Sequence, residues 1–209
     1  MHITLIRHAQ AETNIKPDLI GGYQPLAQLT RLWEDQARAL WSRLFSDQFL
    51  DSVDWDIYCS PAVRTRETAR IVLDLLCVDI TKMWIDDRLR ELWQWDWENK
   101  RRSDIYTLDL KAILKVSHGW YRPPNGESQI DVADRMENWL SDMNPAKHHL
   151  VFSHGMAINC LVQRLIWLPA GNAHIHELSN TGITELKKWE FGWSLRRHND
   201  HAHLSKIAK

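Results

Sequence analysis

The chain begins with a short β-branched and apolar segment that ends abruptly in two polar residues. Ile-Thr-Leu-Ile at 3–6 is typical of a buried β-strand, and Arg7 and His8 follow it directly. The carboxyl ends of strands are where an open α/β sheet binds its ligands. A guanidinium matches phosphate oxygens and a neutral imidazole is a nucleophile, so the pair favours covalent phosphoryl transfer. So short a motif by itself leaves two solvated polar residues as the alternative.

Apolar periodicity in the rest of the chain alternates between strand and helix spacing. The further strands are predicted at 56–59, 83–85, 149–152, 173–178, 182–187 and 193–197. The helices are predicted at about 30–45, 61–76, 105–116, 128–143 and 156–168, with N-caps at Thr30 and Ser128. Residues 87–98 are predicted to be an ordered surface loop. This order predicts an α/β fold, a three-layer α/β/α sandwich with a mostly parallel mixed sheet. With no repeat and no long linker, the whole chain, 1–209, is predicted to be a single domain.

Two further strand ends carry residues that suit the same chemistry. The strand at 149–152 leads into His154 and Gly155, and the helix after the strand at 56–59 carries Arg64 in its first turn. If the first strand and the strand at 149–152 are parallel neighbours, His8 and His154 meet at one edge of the sheet. Two arginines and two histidines there would suit the oxygens of a phosphoryl group.

Bulk composition limits the classes of partner. Hydrophobic residues make up 44% of the chain and charged residues 25%, as in ordinary globular proteins. The formal net charge of −1 predicts no nucleic-acid partner. The longest apolar stretch, 71–78, is too short to span a bilayer, which predicts no membrane partner. Three cysteines in apolar surroundings, and no apolar leader ahead of Arg7, predict a cytoplasmic protein.

The motifs together resemble the histidine phosphatase superfamily, which has the phosphoglycerate-mutase-like fold. The resemblance depends on the order of the motifs over nearly the whole chain, since each one alone is weak. The matching segments are the Arg-His-Gly signature at 7–14, the Ser-Pro segment with its phosphate-binding arginine at 60–69, the segment of the acid glutamate at 89–92, the Gly-Glu-Ser turn at 125–128, the second-histidine motif at 153–155 and the C-terminal ending at 199–204.

The resemblance implies a role for each matching residue. His8 would be the nucleophile that becomes a phosphohistidine. Glu91 would protonate the leaving oxygen and then activate water, and His154 would complete the catalytic set. The residues implied in substrate binding are Arg7, Asn14, Gly22 and Arg64. Neither a metal nor another cofactor is implied.

The chain departs from the family pattern at four glycines. Ala9 stands after the nucleophile, Trp33 stands in the first long helix, and Trp95 and Asn99 replace both glycines of the acid-bearing loop. These changes spare the phosphate-binding residues, and they leave the shape of the substrate mouth outside what the resemblance implies.

Some polar residues have two interpretations each. Glu127 either recognises substrate or supports the turn before Ser128, and Lys100 to Arg102 form either a solvated basic patch or a contact for a second anionic group. The histidines at 174, 176, 198, 201 and 203 leave zinc as an alternative, although no cysteine pair or acidic partner stands at ligand spacing.

The leading prediction is a phosphomonoesterase that acts on a small phosphorylated metabolite, as a monomer or homodimer. A phosphoglycerate-mutase-type phosphotransferase is the first alternative. The absence of a large insertion around Glu91 or before Gly126, which could exclude water, favours hydrolysis. The second alternative is a catalytically inactive binding protein on the same fold. The presence of every implied catalytic and phosphate-binding residue argues against it.

Overall fold

A mixed β-sheet forms the centre of the computed structural model, which describes residues 1–47 and 55–207. Within these ranges the sheet has six strands in the order β3-β2-β4-β1-β5-β6. The first four are mutually parallel, and β5 and β6 are antiparallel to their neighbours. The strands are β1 (His2–Arg7), β2 (Trp55–Cys59), β3 (Met83–Ile85), β4 (His148–Ser153), β5 (Ile183–Trp189) and β6 (Gly192–Asp200).

Helices cover both faces of this sheet. These helices are α1 (Trp33–Ser46), α2 (Val63–Leu75), α5 (Gln129–Ser141) and α6 (Gly155–Leu165), whereas α3 (Arg102–Ile105) and α4 (Leu108–Val116) contribute no buried residue to either core. Leu5 and Val151 belong to the core with α5 and α6, whereas Ile6 and Phe152 belong to the core with α1 and α2. Successive strand residues point to opposite faces, so a continuous apolar run fills two cores at once. The predicted three-layer α/β/α sandwich is confirmed.

The strand register brings three strand ends to one edge of the sheet. Arg7 at the end of β1 lies opposite Ser153 at the end of β4, and Cys59 at the end of β2 lies opposite Phe152. The ladder continues one residue further, because the His8 amide donates to the Ser153 carbonyl at 3.1 Å. The residues that follow these strands therefore emerge side by side.

Local capping agrees with the sequence at one helix and not at another. Ser128 caps α5 in a capping box with Asp131, as predicted. The prediction of Thr30 as a cap is wrong, because α1 begins at Trp33 with no side-chain cap. The Thr30 hydroxyl instead donates to Gln10 Oε1 at 2.7 Å and holds the loop that follows β1.

Two predicted elements differ in the structure. The helix expected at 105–116 begins only at Leu108, as α4, because Thr107 accepts from the Leu110 amide and caps it; Ile105 instead ends the short α3. The strand expected at 173–178 does not form. The carbonyls of Ala173 and His176 there accept hydrogen bonds from the Asn159 amide on α6, and β5 occupies the position beside β1. None of the helices in the described ranges has both the length and the apolar content to cross a membrane.

Candidate active site

Three side chains from the three strand ends are in contact. Arg64 Nε lies 3.1 Å from His8 Nε2, and Arg64 Nη2 lies 3.1 Å from His154 Nδ1. The two imidazole centroids are 5.2 Å apart. His8, Arg64 and His154 are all buried, with exposed fractions of 3%, 2% and 0%. The structure thus brings together the two histidines and the arginine that the sequence predicted to share a site.

The hydrogen bonds of His8 assign the tautomer of its imidazole ring. The Ala9 carbonyl, 2.7 Å from Nδ1, can only accept, so Nδ1 carries the proton. The Nε–H of Arg64 can only donate, so Nε2 presents its lone pair. The pKa of His8 lies well below its ordinary value, because burial first and then the charges of Arg64 and Arg7 disfavour the imidazolium. His8 is therefore a neutral imidazole whose unprotonated nitrogen, Nε2, accepts a hydrogen bond from Arg64.

His154 has the opposite arrangement of proton and lone pair. Arg64 donates to its Nδ1, so in the neutral ring Nε2 carries the proton and donates to Ser60 Oγ at 2.8 Å. Burial, followed by the charges of Arg64 and His8, holds the pKa of His154 well below its ordinary value. Ser60 thereby orients His154. Its position in the Ser-Pro segment was visible in the sequence, but its partner was not.

Three consecutive carbonyls hold the guanidinium of Arg64. Nη2 donates to Gly22 at 3.3 Å and to Tyr23 at 2.8 Å, and Nη1 donates to Gln24 at 2.8 Å. Burial is the main cause that lowers the pKa of Arg64 to about 10, so the side chain remains a cation at neutral pH. The loop at 22–24 therefore fixes the position of the charge nearest to His8.

The second arginine, Arg7, lies against the first turn of α6. Its Nη1 donates to the Leu178 carbonyl, and a Cβ added at Gly155 would meet Arg7 Nε at 3.6 Å. Within the described ranges, Arg7 Nε is buried and has no hydrogen-bond partner. A buried unpaired donor is rare and marks a place where an acceptor oxygen would be stabilised.

Glu91 is bound to the N-terminus of α6. Its Oε1 accepts from the amides of Leu92 at 2.8 Å and Ala157 at 3.0 Å, and its Oε2 accepts from Met156 at 3.2 Å. A carboxylate is favoured at this end of a helix, where free N–H groups and the helix dipole both attract negative charge. The helix that follows His154 therefore fixes the predicted acid on the same side of the sheet.

Asn14 is connected to His8 through a residue that the sequence did not indicate. Its Oδ1 accepts from the Ala11 amide at 2.9 Å and from Asn180 Nδ2 at 3.2 Å. Asn180 Nδ2 also donates to the His8 carbonyl at 3.0 Å. Asn180 thus joins the loop after β1 to the backbone of the predicted nucleophile.

The place of Gly22 depends on Glu98, which the sequence analysis did not single out. Gly22 has a φ of +117°, and a Cβ there would overlap the Glu98 carboxylate. Glu98 Oε1 accepts from the amides of Tyr23 at 2.9 Å and Gln94 at 3.2 Å. Burial is the main cause that raises the pKa of Glu98. Glu98 therefore holds the loop whose carbonyls hold Arg64, and only glycine fits between them.

These side chains face a cavity of about 490 Å³. Among its lining residues are Arg7, His8, Asn14, Gly22, Arg64 and Glu91. His154 is not among them, because it is fully buried. Six of the seven predicted site residues thus line one cavity, and the seventh contacts Arg64.

The acid-bearing loop keeps a glycine-like backbone although both glycines are replaced. Trp95 has a φ of +30° and Asn99 a φ of +64°. Asparagine adopts such left-handed values more readily than most residues, whereas tryptophan does so rarely. The replacement therefore changes the side chains at the mouth while the loop keeps its left-handed turns.

The structure also bears on the residues that had two interpretations. Glu127 pairs with Arg90 at 2.8 Å and Arg135 at 3.0 Å and accepts from the Trp93 amide at 3.2 Å, which favours the structural interpretation. Arg102 is exposed, donates to the Pro17 carbonyl at 2.9 Å and lines the cavity. Across residues 1–47 and 55–207, no three His, Cys, Asp or Glu side chains are grouped to hold a metal ion.

Comparisons with known proteins agree with this geometry. The model of the histidine phosphatase superfamily (branch 1) matches residues 3–201. The chain is 28% identical to a probable phosphoglycerate mutase GpmB of Photorhabdus laumondii, covering 98% of this chain and 95% of that one. It is 30% identical to the adenosylcobalamin/alpha-ribazole phosphatase of Escherichia coli, covering 81% of this chain and 81% of that one. A phosphoserine phosphatase from Entamoeba histolytica, solved with 3-phosphoglyceric acid, shares the fold with a TM-score of 0.81, 23% identity and coverage of 97% and 98%.

Proposed function

Because this chain belongs to the histidine phosphatase superfamily, we propose that it is a phosphomonoesterase that hydrolyses a small phosphorylated metabolite through a phosphohistidine on His8. The observation that carries the proposal is the neutral ring of His8, which lines a cavity together with the buried Arg64 and the partly buried Arg7, and whose Nε2 lone pair is held by the Nε–H of Arg64. An imidazole nitrogen and fixed cations are what covalent phosphoryl transfer requires.

The first half-reaction transfers the phosphoryl group from substrate to His8. Arg7 and Arg64 bind the phosphoryl oxygens. The Nε–H group of Arg64 then donates its hydrogen bond to one of these oxygens instead of to His8 Nε2. The freed lone pair attacks phosphorus, and the bond from phosphorus to the leaving oxygen breaks. The Nδ1–H bond to the Ala9 carbonyl keeps the ring oriented and stabilises the positive charge that the ring gains. His154, held by Ser60, supports Arg64 and the charge around it.

Glu91 handles the protons in both half-reactions. In its protonated form it donates to the oxygen of the leaving alcohol as the bond to phosphorus breaks. The resulting carboxylate then takes a proton from the water that attacks the phosphohistidine, and inorganic phosphate leaves. The amides of Met156 and Ala157 fix the position of the carboxyl group for both steps.

Phosphoglycerate-mutase-type transfer is the second candidate, favoured by the relative named a probable phosphoglycerate mutase. The two reactions differ in what receives the phosphoryl group from His8. Hydrolysis releases inorganic phosphate, whereas a mutase returns the group to another hydroxyl of the substrate. Incubation with 3-phosphoglycerate distinguishes them: we expect inorganic phosphate, and formation of 2-phosphoglycerate without phosphate release would favour the mutase.

The test of the mechanism is to trap the intermediate. Rapid quenching of the enzyme with ³²P-labelled substrate should leave protein-bound phosphate that is acid-labile and base-stable. His8→Ala and His8→Asn should remove the label and lower kcat by about 10⁴-fold or more, since neither side chain can attack phosphorus. The matched control is His201→Ala, which alters an exposed histidine outside the site and should retain both the phosphate label and the turnover. Comparable turnover by His8→Ala would disprove His8 as the nucleophile.

A further inference from the structure

The catalytic cavity continues into a second cavity of about 740 Å³. The residues that line both, and so form the passage between them, include Glu91, Gln94, Arg102 and Met156. A phosphoryl group on His8 and Arg64 lies in the first cavity, because neither of these residues lines the second. We propose, building on the phosphatase function above, that the second cavity binds the alcohol portion of the substrate, and that this portion carries a planar aromatic or heteroaromatic ring of about nucleoside size.

Three aromatic side chains provide the surface for such a ring. Trp97 is buried and stacks on Tyr121, with centroids 5.8 Å apart and an interplanar angle of 24°. Tyr106 meets the same indole edge-on at 5.8 Å. All three line the second cavity, and both tyrosines are only half-buried. Fixed aromatic surfaces of this kind favour stacking against a flat ring over contact with a small polar chain.

The aromatic group is connected to the catalytic cavity. The Tyr106 hydroxyl donates to Gln94 Oε1 at 3.3 Å, and Gln94 lines both cavities. The backbone N–H of Gln94 in turn donates to the carboxylate of Glu98, which holds the loop around Arg64. A ring that stacks on these aromatics is therefore held at a fixed distance from His8.

Charge at the rim indicates which rings suit the cavity. Arg102, Lys111 and Glu177 line it and are exposed, whereas Glu127, a second carboxylate in its wall, is neutralised by two arginines. Among the described residues of this wall, the two exposed cations outnumber the one exposed carboxylate, and cations beside an aromatic surface favour a ring that carries acceptor nitrogens or carbonyl oxygens. Heteroaromatic bases meet this description, whereas a three-carbon phosphate has no ring to stack on the tyrosines.

The first experiment needs no variant. The kcat/KM of the enzyme is measured on adenosine 5′-monophosphate and 2-naphthylmethyl phosphate, and on O-phosphoserine and 3-phosphoglycerate, all of which are esters of alkyl alcohols. We expect the ring-bearing esters to exceed the small ones by about tenfold or more, in line with the usual contribution of one stacked ring. Equal or lower kcat/KM for the ring-bearing esters would overturn the proposal. Absence of hydrolysis of all four, with no phosphohistidine, would instead reject the proposed phosphatase function.

A second experiment assigns the preference to the aromatic surface. Tyr121→Ala should lower the ratio of kcat/KM between ring-bearing and small esters by about tenfold, mainly by raising KM for the former. Tyr121→Phe keeps the ring and should restore the ratio. The matched control is Trp120→Leu, which alters the neighbouring, exposed aromatic residue that does not line the cavity. A ratio unchanged in folded Tyr121→Ala would overturn the proposal.

Discussion

The two adjoining cavities differ in what fixes their walls. In the first cavity, His8 lies just after β1 and Arg64 lies in the first turn of α2. Both side chains are buried, and each donates to a backbone carbonyl. In the second cavity, part of the wall comes from α4, none of whose residues is buried, and both rim cations are exposed. The proposed reaction chemistry is thus built on the sheet, whereas the proposed binding of the rest of the substrate is built partly on surface segments.

This difference has an energetic consequence. Groups fixed by the backbone do not have to be reorganised when charge develops in the transition state, and they act where water is largely excluded. An exposed cation is screened by solvent and loses side-chain freedom when it binds. We therefore expect equivalent substitutions to cost much more in the first cavity than at the rim of the second.

Apart from the nucleophile itself, the largest expected effect concerns Glu91. Glu91→Gln removes the proton that the leaving alcohol needs, so kcat on an alkyl phosphate should fall by about 10²- to 10⁴-fold. On p-nitrophenyl phosphate, whose leaving group needs little protonation, the loss should be much smaller. Steady-state kinetics on both substrates measure the split, and Glu190→Gln, at an exposed position, is the control. Equal losses on both substrates would mean that Glu91 only supports the N-terminus of α6.

The same substitution at two arginines tests the comparison directly. Arg64→Lys keeps the charge but loses the planar set of donors that contacts three carbonyls and two histidines, so kcat/KM should fall by about 10²-fold. Arg102→Lys, at the rim, should change kcat/KM by less than about threefold. Similar losses for the two variants, on one substrate, would contradict the proposed division between the cavities.

Glu98 should behave as a positioning residue for Arg64. Glu98→Ala leaves the amides of Tyr23 and Gln94 without their acceptor, which should lower the free energy of unfolding by about 1–3 kcal/mol. It should also lower kcat more than it raises KM, because Arg64 loses its fixed position. Glu98→Gln retains an acceptor oxygen and should recover most of both. Urea unfolding with steady-state kinetics measures these effects, and a loss of stability with unchanged kcat would reject the role.

The smallest effect is a pH dependence that arises from buried histidines. Burial lowers the pKa of His2 and His203 to about 4 and holds those of His8 and His154 well below 6.5. The unfolded chain therefore binds more protons at these four positions between pH 6.5 and 4, so their contribution to stability falls as the pH decreases. Burial raises the pKa of Glu98 and Glu185. At these two positions the folded chain binds more protons, so their contribution to stability increases as the pH decreases.

Because more histidines have a lowered pKa than carboxyl groups have a raised one, we expect the urea midpoint to decrease from pH 7 to pH 5. The effect should weaken in His203→Asn, which removes one of the titrating groups. Circular dichroism at fixed ionic strength measures the midpoints. A midpoint that rises towards pH 5 would show that the carboxyl groups dominate instead.

Local sequence by itself determined most of the candidate active site. The run of apolar residues before Arg7 and His8 defined a buried strand, and the strand before His154 has the same pattern. Parallel strands end at one edge of a sheet, so local pattern and this general rule were sufficient to predict that His8, Arg64 and His154 meet. Ser128 was predictable for the same reason, since its cap involves only a neighbour three residues away.

Only the tertiary structure decided the parts that depend on distant pairs of residues. Asn180 contacts the carbonyl of His8 across 172 positions of the chain, and Glu98 binds the amide of Tyr23 across 75. Apolar and polar residues alternate at 173–178 as in a strand, yet the side-chain amide of Asn159 donates to two carbonyls of this segment. No local pattern encodes such partners, because a polar side chain is satisfied by whichever group the packed fold places beside it. The substrate mouth is made largely of contacts of this kind.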